Sequence, residues 1–234
     1  MRWGSSMPTD VDLRPYDQLT VAQPASVPAP PTEDSPVTVG WTQAAIAISS
    51  VLSLNTPMNL RMDIEMHGPL LIDFPHHAFA WSTPLDYFPV DAVHTRLGTV
   101  PAGADAPPFF PLPGQDLDGL LWEIGLNSFD GGRAFWLAAD ERYRLTRWPN
   151  LTRHSHNMSQ VRMIAALGNS YVSTGELAAF AGVDESDAQR LINALSLMQI
   201  LARSSSAPAP TVVPQTAAAK KRNLFDRLRN RLGR

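Results

Sequence analysis

Apolar residues recur at helical spacing most consistently between Asn157 and Leu201, where turns and capping residues agree with that spacing and predict three short helices. Met158, Val161, Ile164 and Ala165 mark the apolar face of the first, and Gly168-Asn169 stops it. Ser173 stands three residues before Glu176, a capping box in which each side chain satisfies a free amide at a helix start; Leu177, Ala178, Phe180 and Ala181 follow, and Gly182 ends the helix. Asp184 caps the third with Asp187 at its third position, Val183 staples the entry, and Ala188, Leu191, Ile192, Leu195 and Met198 share one face. On this assignment Leu191→Asp should loosen the module, whereas Asn193→Asp should be nearly neutral on the exposed side.

Upstream the period changes. Trp41–Leu54 carries Ala44, Ala45, Ile48, Val51 and Leu52 at helical spacing, with a buried strand as the competing assignment. Asn59–His67 alternates strictly: Leu60, Met62, Ile64 and Met66 point one way, Arg61, Asp63 and Glu65 the other, as in a half-buried strand. Gly68-Pro69 turns the chain into a second strand over Leu70–Phe74, and Ala78–Trp81 makes a third, giving an antiparallel meander. Asp86–Val100 shows no clear period, and PAGADAPPFFPLPG opens a long loop. Asp116 caps a helix that buries Leu117, Leu120, Leu121, Trp122 and Ile124 and ends near Asp130-Gly131-Gly132. Phe135–Leu137 and Tyr143–Leu145, separated by a polar turn, then have the spacing of a hairpin.

Composition sets the domain map. Of 234 residues 44% are hydrophobic, enough for a sizeable core, but 21 prolines, most of them in residues 1–36, 101–113 and 204–214, confine that core to Val37–Arg203. The fold class is therefore α+β: small antiparallel strands with helices (residues 37–156), then a wingless three-helix module (157–203), flanked by a disordered leader (1–36), a Pro/Ala/Ser-rich linker (204–219) and a basic amphipathic helix (220–234). There is no cysteine, and the start of the chain lacks the apolar core of a signal peptide, which together point to the cytoplasm.

The helix, the tight turn Phe180-Ala181-Gly182-Val183-Asp184 and the following helix, preceded by another helix, resemble the helix-turn-helix core of winged-helix proteins. Ile200-Leu201 runs directly into ARSSSAPAP, leaving no room for the hairpin that would form a wing. That resemblance implies a fold and makes DNA binding the obvious activity to weigh. Charge opposes it, because the last helix opens with Asp184, Glu185 and Asp187 against a single Arg190. LLWEIGL, RYRLTRWPNLTR, the three helices and the basic end together also resemble bacterial regulatory-type proteins, which implies a signalling or scaffolding role and supplies no catalytic motif.

Candidate chemistry is sparse. Arg142, Arg144, Arg147 and Arg153, interleaved with Tyr143 and Trp148, are candidate phosphate or nucleic-acid contacts. Simple alternation offers another role, with Tyr143 and Leu145 inward, Arg142 and Arg144 in solvent and Trp148 covering the hairpin end. His76 and His77 are adjacent and splayed, no third ligand has motif spacing, and no phosphate loop or nucleophile elbow occurs, so neither metal nor cofactor is expected. The net charge of −3 conceals segregation: Lys220–Arg234 holds seven basic residues and one acid, leaving about −9 for the rest. Leu224, Phe225, Leu228 and Leu232 form one stripe of that segment, among Lys220, Lys221, Arg222, Arg227, Arg229 and Arg231, a pattern that binds anionic membrane surfaces or acidic partners. The sequence thus points to a non-enzymatic bacterial adaptor or signalling scaffold acting through protein–protein contacts, cytoplasmic or peripheral at the inner membrane face, with a DNA-binding transcription regulator as the alternative.

Overall fold

The computed structural model describes residues 37–54, 57–90, 93–102, 107–153 and 156–205. It is an α+β fold with a mostly antiparallel sheet and five helices among these residues. The sheet joins β1 (Val37–Val39), β2 (Met58–Ile64), β3 (Gly68–Asp73), β4 (Ala78–Ala80), β5 (His94–Pro101) and β6 (Gln115–Asp116) in the order β1-β5-β2-β3-β4-β6. The alternation of β2 works as expected, since Leu60, Met62 and Ile64 are buried, but the strand stops before Met66, which stands in solvent with φ +65°. The meander β2-β3-β4 forms, and β5 completes it from the other side by pairing with β2 from Met58↔Pro101 to Ile64↔Thr95.

That strand is the element the period of the sequence concealed. β5 has Gly98 at its centre and buries Thr95, so its register is set by pairing rather than by an apolar stripe. The loop after it folds back over the outer face of the sheet. Phe109 and Phe110 pack there with Ala78, Leu71, Ala80 and Val100, and the Phe109 amide donates to the buried Asp73 carboxylate at 2.9 Å.

The inner face is covered by helices. α1 (Thr42–Ser53) buries Ala44, Ala45, Ile48 and Val51, and Trp41 at its start packs against Trp81 and Phe88 and donates to the Pro89 carbonyl at 2.7 Å. α2 (Leu117–Leu126) begins where predicted, with the Asp116 side chain accepting from the Asp118 amide, and buries Leu117, Leu120, Leu121, Trp122 and Ile124. α3 (Met158–Asn169), α4 (Thr174–Ala181) and α5 (Glu185–Leu197) follow. The Ser173/Glu176 capping box is formed and Gly182 closes α4 at φ +69°. A second capping box, Asn157 with Gln160, starts α3.

Several expectations are corrected. Met158 and Phe180 are exposed, because α3 turns Met163, Ile164 and Leu167 inward and α4 uses Leu177, Ala178 and Ala181. Asp184 sits at the N-cap of α5, but its side chain makes no capping bond. No hairpin joins Phe135–Leu137 to Tyr143–Leu145; Phe135 is exposed, and β7 (Arg142–Leu145) pairs instead with β8 (Leu201–Ser204), with a bridge from Tyr143 to Val172. Among the described residues a single strand, β8, follows α5, and its partner lies upstream of α3 and not in a hairpin after α5.

Residue 156 consequently marks no break in the core. One cluster of buried side chains runs from Trp41 through α2 to Ile200, and α2 lies directly on α5. The two helices touch at Gly125, where an added Cβ would come within 2.3 Å of the Ala194 Cα. Asn193, expected in solvent, is 1% exposed: it accepts from the Ala134 amide and from Gln189, and donates to the Gly132 carbonyl at 2.8 Å. Asn193→Asp is therefore not neutral; it removes that donor inside the core and should lower stability by about 1–3 kcal/mol. Gly125→Ala, with backbone as the obstacle, should cost at least about 1–3 kcal/mol. Urea midpoints that stay at the wild-type value in both variants would show that α2 and α5 do not meet in this way.

Candidate functional site

The strongest candidate is a cleft of about 500 Å³ to which three helices each contribute one stripe. α2 supplies Glu123, Leu126 and Asn127, spaced i, i+3, i+4; α3 supplies Asn157, Gln160 and Met163, spaced by three, with Ser159; the start of α5 supplies Val183, Asp187 and Arg190. Val90 and His156 complete the wall. The contacts Gly125 to Ala194 and Gly131 to Ser186 show that the chain runs in opposite directions along α2 and α5, with the end of α2 beside the second half of α5 and the turn after α2 beside the start of α5. The oxygens of Asn157 and Gln160 are engaged in the capping box at 2.9 and 2.8 Å, and the Asn127 side chain donates to the Glu123 carbonyl at 2.9 Å. These bonds fix the helix ends that shape the cleft.

Glu123 is its unusual member. It is half-buried between the buried Trp122 and Ile124, and among the described residues its carboxylate has no hydrogen bond or ion pair. Burial, reinforced by the negative charge of Asp86, pushes its pKa up to about 7. A cation entering the cleft would hold the ionised form; a neutral acceptor would take the proton of the acid.

A second cluster lies at the start of α2. His77, in the left-handed region at φ +50°, places Nε2 3.0 Å from the Asp118 carboxylate, and Arg147 donates to both oxygens of that carboxylate at 2.9 and 3.2 Å. The hydrogen bond to Asp118 is the main cause that raises the His77 pKa. Burial works to raise Asp118, but His77 and Arg147 outweigh it and hold the carboxyl below its usual range. His77, Asp116 and Asp118 bring three ligand atoms within 4.8 Å of one another, although Asp118 already serves a guanidinium. The cluster ties β4, α2 and the chain after β7 together. His76 turns the other way, onto Asp73 at 2.9 Å, so the splaying expected of adjacent histidines is real.

Of the arginines proposed from sequence, Arg142 and Arg147 are held by different carboxylates. Arg142 is engaged bidentately by Glu176 at 2.7 and 2.6 Å and by the Tyr171 carbonyl, which corrects its placement in open solvent and pulls the Glu176 carboxyl below its usual range. Arg147 is held by Asp118; Arg144 is exposed; Trp148 lies on Gly168 of α3, where an added Cβ would come within 2.9 Å of the indole, and not at a hairpin end. The side chain of Arg153 and the whole of residues 220–234 lie outside the described residues. A shared phosphate grip by Arg142 and Arg147 would require both carboxylates to be displaced. Sequence reasoning missed Glu123, Asn157, Gln160 and Asp187 as site members; the one available signal was a single acid inside LLWEIGL. No family model, curated protein or solved structure matches the chain.

The raised Glu123 pKa has a direct consequence. Between its ordinary value of 4.5 and about 7 the folded chain binds more protons at this position than the unfolded chain, so stability falls as pH rises through that window and then levels. Allowing for screening of a partly exposed group, the loss should be on the order of 1–3 kcal/mol. Glu123→Gln should flatten the difference between melts at pH 5 and pH 8; an unchanged difference would place the Glu123 carboxyl in water.

Proposed function

We propose that the chain is a non-enzymatic adaptor or signalling scaffold that works through protein–protein contacts and is localised by its basic amphipathic segment, residues 220–234. The burial of α5 carries this reading. Of its thirteen residues eight are buried, Arg190 and Ser196 are half-buried, and the three exposed ones are Glu185, Ser186 and Asp187. In a helix-turn-helix reader the equivalent helix lies in the major groove with basic and polar side chains outward. Here it is enclosed by α2 and α4 and presents acids at its free end, which favours a protein-docking or structural use of the helix-turn-helix-like module over a DNA-reading one.

No helix among the described residues is long and apolar enough to cross a membrane, so attachment would fall to the surface chemistry of the C-terminal segment. Each basic residue near an anionic surface contributes about 1 kcal/mol, and each fully buried Leu or Phe about 1.5–3 kcal/mol. The full chain should bind anionic vesicles in a manner weakened by salt and by Leu228→Asp, and should show no salt-sensitive affinity for duplex DNA by fluorescence anisotropy. Sequence-selective duplex binding at moderate salt would replace the adaptor with the transcription regulator.

A further inference from the structure

We propose that the cleft between α2, α3 and α5 is the docking site of the chain's own basic segment, Lys220–Arg234, which is held on the body until an anionic surface competes for it. This inference rests on the localising role given to that segment above, and adds its regulation.

Chemical complementarity is the first reason. The cleft has apolar side chains, Leu126, Met163 and Val183, flanked by the acids Glu123 and Asp187, with Asp86 close enough to act on Glu123. The segment has the opposite pattern, an apolar stripe of Leu224, Phe225 and Leu228 with Arg222, Arg227 and Arg229 around it. Arg190, on the same wall as Asp187, is matched by Asp226, the segment's one acid. The uncompensated Glu123 carboxylate is the part of the cleft that gains most, because a guanidinium or ammonium beside it replaces the solvation that burial removed.

Reach is the second reason. β8 leaves the end of α5 opposite the cleft, and thirteen helical residues span about 20 Å. Fourteen residues separate Ser205 from Lys220, and that number of residues can reach up to about 50 Å when fully extended, more than the length of α5. Effective concentration is highest when span and linker agree, and for a short linker it is of millimolar order. A docking interaction with a Kd near ~0.1 mM would therefore be about ten to one in favour of the docked state.

The test is hydrogen–deuterium exchange on the full chain. Peptides from residues 220–234 should exchange about tenfold more slowly in the wild type than in Leu228→Asp, which leaves the cleft untouched, and than in Asp187→Lys, which alters an exposed rim residue. Both variants should melt like the wild type apart from the small cost of a lysine in the first turn of α5. Asp187→Lys should also bind vesicles of phosphatidylserine and phosphatidylcholine more tightly, since the segment is released, whereas Leu228→Asp should bind them less. Protection should weaken as pH falls below about 7, where Glu123 takes up its proton among Asp86, Asp187, Arg190 and His156. Equal exchange in all three chains, or protection that persists in Asp187→Lys or grows with protein concentration, would overturn the proposal. Vesicles ignored by every variant while protection responds as expected would instead remove the membrane role and leave the docking intact.

Discussion

The contact between Gly125 and Ala194 is the constraint on which the rest of the structure depends. A side chain at residue 125 would meet backbone atoms of α5, so the two helices can share one core only because the position is glycine. That approach makes a single hydrophobic cluster out of a sheet layered with α1 and α2 and a group of three helices that could otherwise have been a separate unit. The pairing of β7 with β8 reinforces it from the other end, because the chain before α3 and the chain after α5 become neighbours. Asn193 adds a polar fastening beside the glycine contact, binding the turn at Gly132 and Ala134 to α5 through bonds that solvent cannot replace.

Enclosure of α5 also decides what the three helices can offer a partner. A helix that spends its apolar residues on α2 and α4 has only its first turn left, and that turn is acidic because acids suit the positive end of the helix dipole. The same residues that stabilise the helix start therefore repel phosphate, and structure and function do not compete at this position. At Glu123 they do. A half-buried carboxyl beside Asp86, with no counter-charge among the described residues, costs stability at neutral pH, and the large core is what lets the chain carry that cost.

What could be read from the sequence followed the strength of local signals. α4 was legible because a cap, a period of 3.6 and a glycine stop coincide there, the start of α2 from its cap and its period, and the inward face of α5 from its period alone. β2 was legible from its alternation. β5 was not, since Thr95 and Gly98 interrupt any apolar stripe and its order comes from seven cross-strand pairs with β2. β7 was found but given the wrong partner, because sequence favours the nearest strand and its real partner lies beyond three helices. Asn193 failed for a similar reason: polarity placed it in solvent, and only tertiary structure brings the carbonyl of Gly132 and the amide of Ala134 within its reach.

The candidate site was less legible than the fold, and the cause is physical. Spacing exposes sites built along one element, such as a histidine pair on a helix or a glycine loop, whereas this cleft takes one stripe from each of three helices separated by up to sixty residues. The arginine-rich stretch looked more promising because its charges are adjacent in sequence, yet adjacency is also what lets a fold neutralise them one at a time, Arg142 on α4's cap and Arg147 at the start of α2. Basic charge that meets a carboxylate inside the body is lost to recognition. What survives is the charge the chain keeps apart, seven basic residues at one end and an excess of acids elsewhere, and opposite charges joined by a linker attract each other before either meets a partner.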